Sequence, residues 1–207
     1  MKTILHYSAI AMVSVALLAG CKKEETTNTA NNNNNTNTPN KLCDGNGENS
    51  YFPLKAGNKW TYALKAGTTI DDWTVGATKV FNSKTYFSVP WNRDGALFGD
   101  QYFRTDANGD VYSYDETSAQ EYLFIPANPT DGQTWPYLSG GSSREITATG
   151  VTQATTGCNY TGLIEVSSYN GTGTLISTYY FKKGLGKVYD IKQSNSSTFE
   201  LKSVVLN

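Results

Sequence analysis

The chain has 207 residues, with 17 Lys and Arg against 18 Asp and Glu, so its formal net charge is −1. A chain without a basic excess lacks the electrostatic footprint of a nucleic-acid-binding protein. Its one histidine, His6, lies in the N-terminal 20 residues, which we expect to be removed. A mature chain without histidine excludes Ser-His-Asp and Cys-His catalysis and histidine-ligated zinc. Chemistry based on carboxylates alone is not excluded.

Residues 1–20 have the pattern of a bacterial signal peptide. Lys2 supplies a positive charge, and an uncharged, mostly apolar run follows as far as Leu18. An uncleaved membrane anchor is the alternative, but the run is short for a span of about 20 residues. Residues 17–21, Leu-Leu-Ala-Gly-Cys, resemble the lipobox of Gram-negative lipoproteins. This resemblance implies cleavage before Cys21, lipidation of that cysteine, and the membrane as a partner through the anchor.

Residues 21–41 are predicted to be a lipidated cysteine and a disordered tether. The resemblance favours the outer membrane, because position 22 is Lys instead of the Asp that retains many lipoproteins in the inner membrane. Residues 22–25, Lys-Lys-Glu-Glu, are either a surface-export signal or an ordinary solvated charge run. The cell surface and the periplasmic face therefore both stay open. Residues 26–40 contain only Asn, Thr, Ala and Pro, which cannot form a core.

Residues 42–207 are predicted to form a single all-β domain. Segments rich in β-branched and aromatic residues alternate with clusters of Gly, Asn, Asp and Pro, and no window shows an apolar repeat of 3.6 residues. This pattern predicts an antiparallel meander of about 10–12 strands, folded as an open or half-closed barrel. The ten predicted segments are 59–64, 84–91, 97–105, 111–114, 121–125, 144–152, 160–169, 175–182, 187–192 and 199–206.

The two halves of this domain resemble each other. The pattern Gly-x-x-Trp-x-Tyr begins at Gly57 and again at Gly132, and four further pairs of short motifs follow in the same order. Collinear matches predict an internal duplication, with repeats at 52–123 and 124–206. The alternative is that a strand-rich chain reuses such motifs independently. In each motif Trp and Tyr lie two residues apart, so they share one face of a strand.

Two cysteines remain after the lipidation site. In an oxidising compartment, Cys43 and Cys158 are expected to form a disulfide. Two unpaired thiols are the alternative.

Candidate binding residues are few. Trp91 follows a proline and precedes turn residues, so we expect it to be an exposed, ligand-binding aromatic, whereas core packing is the default for the other tryptophans. Residues 106–110, Asp-Ala-Asn-Gly-Asp, fit a hairpin turn better than a calcium loop, because the downstream Glu of an EF-hand is missing. No metal or cofactor is expected. The sequence also contains acidic residues that could serve in catalysis, but their spacing does not identify a catalytic pair. These are Asp71, Asp72, Asp94, Asp100, Asp115, Glu116 and Asp131.

Two longer motifs resemble a known group of proteins. Residues 51–62, Tyr-Phe-Pro-Leu-Lys-Ala-Gly-Asn-Lys-Trp-Thr-Tyr, and residues 180–188, Tyr-Phe-Lys-Lys-Gly-Leu-Gly-Lys-Val, are similar to those of bacterial lipoproteins that include TapB-like proteins. The resemblance implies a β-rich, exported and lipid-anchored protein. It implies no catalytic residues, because the activity of that group is unsettled.

Three functions are compatible with the sequence. The first is a non-catalytic envelope lipoprotein whose β surface binds an apolar or amphipathic ligand. The second is an interaction module displayed on the tether, which contacts an envelope protein or a glycan. The third, a hydrolase that depends on carboxylates, needs acids clustered in a cleft. A lined cavity favours the first function, and a filled core with flat exposed aromatics favours the second.

Overall fold

The computed structural model describes residues 42–207. The predicted signal peptide (1–20), the lipidation site Cys21 and the predicted tether (21–41) lie outside the described residues. Within the described range the chain forms strands and no helix, so none of it is a helix that could span a membrane. The strands are β1 (Lys59–Leu64), β2 (Ile70–Thr74), β3 (Thr78–Phe81), β4 (Lys84–Arg93), β5 (Ala96–Thr105), β6 (Val111–Asp115), β7 (Gln120–Ile125), β8 (Thr134–Pro136), β9 (Ser143–Ala154), β10 (Asn159–Tyr169), β11 (Leu175–Lys182), β12 (Gly186–Lys192) and β13 (Ser197–Val205).

These strands form one antiparallel sheet. Its order is β7-β6-β5-β4-β2-β1-β13-β12-β11-β10-β9-β8, and β3 pairs with β4 outside this path. Each half of the chain is a meander, and the pairing of β1 with β13 joins the two meanders. The sheet curls into a nearly closed barrel, which confirms the prediction of an antiparallel, half-closed architecture.

The barrel has a gap between its edge strands β7 and β8, which we call the seam. β8 contains only three residues and ends at Pro136, which has no N–H to donate to a ladder. Side chains bridge the seam instead. The Trp135 indole N–H donates to the Leu123 carbonyl at 2.9 Å, and the Arg144 guanidinium donates to the Phe124 carbonyl at 2.9 Å. The curled sheet is therefore held together without a continuous ladder.

The two Gly-x-x-Trp-x-Tyr motifs have similar local structure. Gly57 and Gly132 both have positive φ, at +87° and +79°, a conformation that residues with a side chain rarely adopt. Their N–H groups donate to the carbonyls of Val75 and Ile146, both at 2.8 Å. The Trp three residues after each Gly is buried. Equivalent turns are expected of repeats, and the duplication stays a prediction.

Aromatic packing fills one end of the barrel. Phe52 is 1% exposed, stacks on Trp60 with ring centroids 5.1 Å apart, and meets Phe103 edge-on at 4.9 Å. The segment that precedes it is fixed to the turn between β11 and β12, where Gly184 N–H donates to the Ser50 carbonyl at 2.7 Å. Phe52 therefore lines the inner end of the cavity that remains in the barrel.

A disulfide joins Cys43 to Cys158, with the two Cα atoms 5.5 Å apart. Cys158 lies in the turn between β9 and β10, and the Tyr160 hydroxyl donates to the Leu42 carbonyl at 3.2 Å. The start of the described chain is therefore attached to the turn between β9 and β10, where the Thr156 N–H donates to Glu200 of β13 at 2.9 Å.

Candidate ligand-binding cavity

The barrel contains a cavity of about 250 Å³. Residues from both halves of the sheet line it, so it lies on the inner face of the curled sheet. Its volume is just below the range usual for sites that take drug-sized molecules, which suits a small ligand. Aromatic side chains form much of its wall, among them Phe52, Trp73, Trp91, Phe124, Tyr179 and Phe181.

A buried ion pair lies on one wall. Lys187 Nζ is 2.5 Å from Asp190 Oδ2, and these residues are 8% and 2% exposed. The Lys187 ammonium also lies 4.4 Å from the Tyr62 ring centroid and 4.9 Å from that of Trp73. Removing a charge pair from water is costly, and close contact together with ring faces offsets part of this cost.

A β-bulge makes this pair possible. In a regular strand, residues three apart point to opposite faces. The register between β11 and β12 shifts by one residue here, since Phe181 pairs with Lys187 whereas Tyr180 pairs with Tyr189. The extra residue, Val188, brings Lys187 and Asp190 to the same face. Strict alternation in the sequence therefore gave no sign of this pair.

A second ion pair lies near the ends of β2 and β4. The Arg93 guanidinium donates to both carboxylate oxygens of Asp71, at 2.8 and 3.0 Å. The same guanidinium lies 5.0 Å from the Trp91 ring centroid and 5.1 Å from that of Phe98. This two-point contact fixes the plane of Arg93 and supports Trp91 at the cavity wall.

Arg144 is the third cationic group of the wall and is only 4% exposed. Its guanidinium carbon lies 3.6 Å from the Tyr137 ring centroid and 4.5 Å from that of Phe124. None of the ion pairs within residues 42–207 includes it. A buried cation whose partners are ring faces and a carbonyl lacks the carboxylate that usually compensates such a charge.

Unpaired polar atoms gather around the same cavity. Four of the buried side-chain atoms that have no hydrogen-bond partner in the described chain belong to residues of its lining: Trp73 Nε1, Trp91 Nε1, Arg144 Nε and Asp190 Oδ1. Buried polar atoms are normally paired, so such a group of exceptions needs an explanation. Three donors and one acceptor without partners therefore lie among the aromatic and charged side chains of the wall.

The electrostatics of the wall are positive. Burial raises the pKa of the Tyr179 phenol, but the charges of Lys192 and Arg144, a hydrogen bond from Ser177 and the charge of Lys187 outweigh it and leave that pKa below its ordinary value of 10.0. Asp190 and Asp71 already have cationic partners. Two cations of the lining, Arg144 and Lys192, form no ion pair with a carboxylate within residues 42–207.

The cavity opens at one end of the barrel. Its outer lining lies near the ends of β4 and β12 and in the loop between β8 and β9. We call this opening the mouth.

Apolar side chains remain exposed at the mouth. Leu138 and Ile176 are each 42% exposed, and Phe98 is 63% exposed beside Trp91. Leu138 also has a φ of +65°, a strained conformation for a residue other than Gly or Asn. Exposed apolar groups and backbone strain at an opening are typical of binding sites.

Trp91 lies within β4, two residues before its end, and is not the exposed aromatic that the sequence suggested. It is half-buried between Trp73, at a centroid distance of 6.3 Å, and Phe98, at 4.6 Å. The exposed aromatic of this hairpin is Phe98. Trp91 nevertheless lines the cavity, so its role in ligand binding stays a prediction.

Three of the acids singled out in the sequence, Asp100, Asp115 and Glu116, line a second pocket beside β5 and β6, and the others lie apart from it. Asp71 is the one that lines the cavity, and Asp72, Asp94, Asp115 and Glu116 have local partners. Asp106 closes a hairpin turn, because its Oδ1 accepts from the N–H groups of Asn108 and Asp110. Within residues 42–207 no group of three His, Cys, Asp or Glu side chains could hold a metal ion.

Another charged network lies outside the cavity. Glu121 accepts hydrogen bonds from Arg104, Lys84 and Tyr86, the last two at 2.6 and 2.5 Å. Burial raises the Glu121 pKa, but these donors outweigh it and lower the pKa to about 2. Because each Glu121 oxygen is occupied, this network is suited to fixing β7 onto β4 and β5.

The similarities of this chain to known proteins are similarities of structure and not of sequence family. The sequence matches no protein-family model and no curated protein. Among solved structures, the chain is similar to a candidate exported protein with a YmcC-like fold from Bacteroides fragilis. The two sequences are 13% identical, the alignment covers 75% of this chain and 98% of the other, and the TM-score is 0.43. It is also similar to a candidate lipoprotein from Parabacteroides distasonis, with 13% identity, coverage of 79% and 100%, and a TM-score of 0.44.

Proposed function

We propose that this chain is a non-catalytic envelope lipoprotein whose half-closed barrel binds a small apolar or amphipathic ligand. The observation that supports the proposal is the interior cavity, where aromatic walls surround four buried polar atoms without partners. A core built only for stability would pair or omit such atoms. An amphipathic molecule would cover the apolar wall and hydrogen-bond to these groups.

The same proposal includes the anchor. Lipidation of Cys21 would attach the chain to the outer membrane, with the remaining residues before Cys43 as a spacer. The disulfide attaches Cys43 to the turn between β9 and β10, so the spacer would join the barrel there. A ligand would enter through the mouth, from the aqueous side or from a partner protein.

A second candidate function is supported by the exposed apolar side chains beside the mouth. Leu97 and Phe98 are 62% and 63% exposed and adjacent in sequence. Such a pair could contact an envelope protein or a glycan, as the interaction-module hypothesis requires. The hydrolase hypothesis is less well supported, because Asp71 and Asp190, the acids of the cavity, each have a cationic partner.

Native mass spectrometry of the full chain, extracted from the cells that produce it, tests the proposal. We expect the N-terminal residue of the mature chain to be an acylated Cys21, and we expect a small molecule bound in near one-to-one ratio. A variant with Ser168→Phe, which fills the mouth, should lose the small molecule and keep the acyl groups. An intact Met1 without acyl mass would contradict the anchor, and ligand-free protein in both forms would contradict the binding function.

A further inference from the structure

Four polar residues form a continuous row across the inner face of the sheet, next to the mouth. In the strand register Arg144 of β9 pairs with Ser168 of β10, Ser168 pairs with Ser177 of β11, and Ser177 pairs with Lys192 of β12. Residues paired across neighbouring antiparallel strands point to the same face, with Cβ atoms about 5 Å apart. We call these four residues the polar row.

The polar row has the chemistry of an anion-binding site. Arg144, Ser168 and Ser177 are 4%, 3% and 5% exposed, so two hydroxyls and a guanidinium are held away from bulk water. The Arg144 Nε–H is buried and has no hydrogen-bond partner within residues 42–207. Lys192 lies at the other end of the row and lines the same cavity. Every member can donate a hydrogen bond, and none carries a negative charge.

The surroundings of the row favour an anion as well. The two carboxylates of the lining, Asp71 and Asp190, are held by Arg93 and Lys187. Trp73 and Trp91 each add an indole N–H that has no partner in the described chain. The next row inward runs from Ile146 and Val166 through Tyr179 to Asp190, whose Oδ2 is paired with Lys187. The apolar part of the wall is formed by aromatic rings, among them Phe124 and Phe181.

We infer that the ligand of the cavity is an amphipathic carboxylic acid, and that its carboxylate is bound by the polar row while its apolar part lies against Phe124 and Phe181. This inference rests on the proposed binding function and names the class of ligand. A carboxylate would supply the negative charge that the buried Arg144 lacks, through the planar, two-point geometry that guanidinium groups favour.

The test compares two ligands of equal length on the full chain. Octanoate and 1-octanol share an apolar chain and differ in the charged group. Calorimetric titration should show octanoate binding about tenfold to a hundredfold more tightly, because hydrogen bonds to a charged group are stronger than those to a hydroxyl. Equal affinity for the two would overturn the carboxylate assignment and keep the proposed function. Binding of neither would overturn both.

Variants locate the site. Lys192→Gln and Ser168→Ala should each weaken octanoate binding several-fold and weaken octanol binding less. Lys202→Gln removes an exposed charge of β13 outside the cavity and is the matched control. Arg144→Gln should have the largest effect. Because Arg144 also bridges the seam, the far-ultraviolet circular dichroism of this variant must match that of the parent chain. If the Lys192→Gln and Ser168→Ala variants bind octanoate as the parent does, the polar row is not the site.

Discussion

The Trp135 indole N–H donates to the Leu123 carbonyl at 2.9 Å across the seam, where no strand ladder joins β8 to β7. Arg144 makes the neighbouring bridge to Phe124 and also lines the cavity. The contact that closes the sheet and the proposed ligand site therefore share a residue. A barrel held by two side chains at its seam can keep an interior space that a continuous ladder and a filled core would remove.

The first prediction concerns the Trp135 bridge. Trp135→Phe keeps a ring but leaves the Leu123 carbonyl without its donor, so we expect a loss of about 1–3 kcal/mol in the free energy of unfolding, measured by urea titration. Trp73→Phe is the control, because the Trp73 indole N–H has no partner within the described residues. The bridge would be unimportant if both variants lost the same stability.

The second prediction concerns the buried ion pair. Lys187→Met leaves Asp190 buried without its cation, which should cost about 3–5 kcal/mol of stability. Adding Asp190→Asn in the same chain should recover much of this loss, because the unpaired charge is then gone. The exposed pair of Lys79 and Glu116 is the control, where Lys79→Met should cost far less stability because solvent screens the pair. Additive losses in the Lys187 and Asp190 double variant would contradict this account.

The third prediction concerns acid. The pKa of Glu121 in the folded chain is lowered to about 2 from its ordinary value of 4.5, so the unfolded state binds a proton more readily. Its contribution to stability is therefore complete above about pH 4.5 and is lost as the pH falls toward 2. Urea midpoints between pH 7 and pH 2 should fall less steeply for Glu121→Gln than for the parent chain. Parallel curves for the two proteins would show that Glu121 does not contribute.

The fourth prediction concerns the disulfide. Cys43 and Cys158 are 115 residues apart, so the bond restricts a long loop in the unfolded chain. Chain-entropy arguments give about 5 kcal/mol for such a loop. A Cys43→Ser and Cys158→Ser double variant should unfold at a clearly lower urea concentration than the oxidised parent. The reduced parent should resemble the variant, and unchanged midpoints would mean that the bond does not constrain the unfolded state.

Local sequence pattern predicts most of the strands. Each of the ten predicted segments coincides with a strand, because alternation and turn residues are local signals. β2, β3 and β8 were not predicted. β2 contains consecutive acids, Asp71 and Asp72, which are uncommon in strands, and β3 and β8 are only four and three residues long.

Sequence pattern predicts much less of the cavity. Trp91 was singled out for its place beside turn residues, and it does line the cavity although it lies within a strand. Lys187 and Asp190 were missed because a bulge, which depends on pairing with β11, brings them together. Arg144 and Lys192 come from strands far apart in sequence, and their common row exists only once the register across β10 and β11 is known.

A crystal structure of the full chain grown with 8-bromooctanoate tests the central claim most directly, because anomalous scattering locates the bromine without ambiguity. We expect the bromine inside the barrel, near Phe124 and Phe181, and the carboxylate within hydrogen-bond distance of Arg144 and Lys192. Bromine only on the outer surface, with the interior free of the acid, would contradict the account of this barrel as a ligand-binding protein.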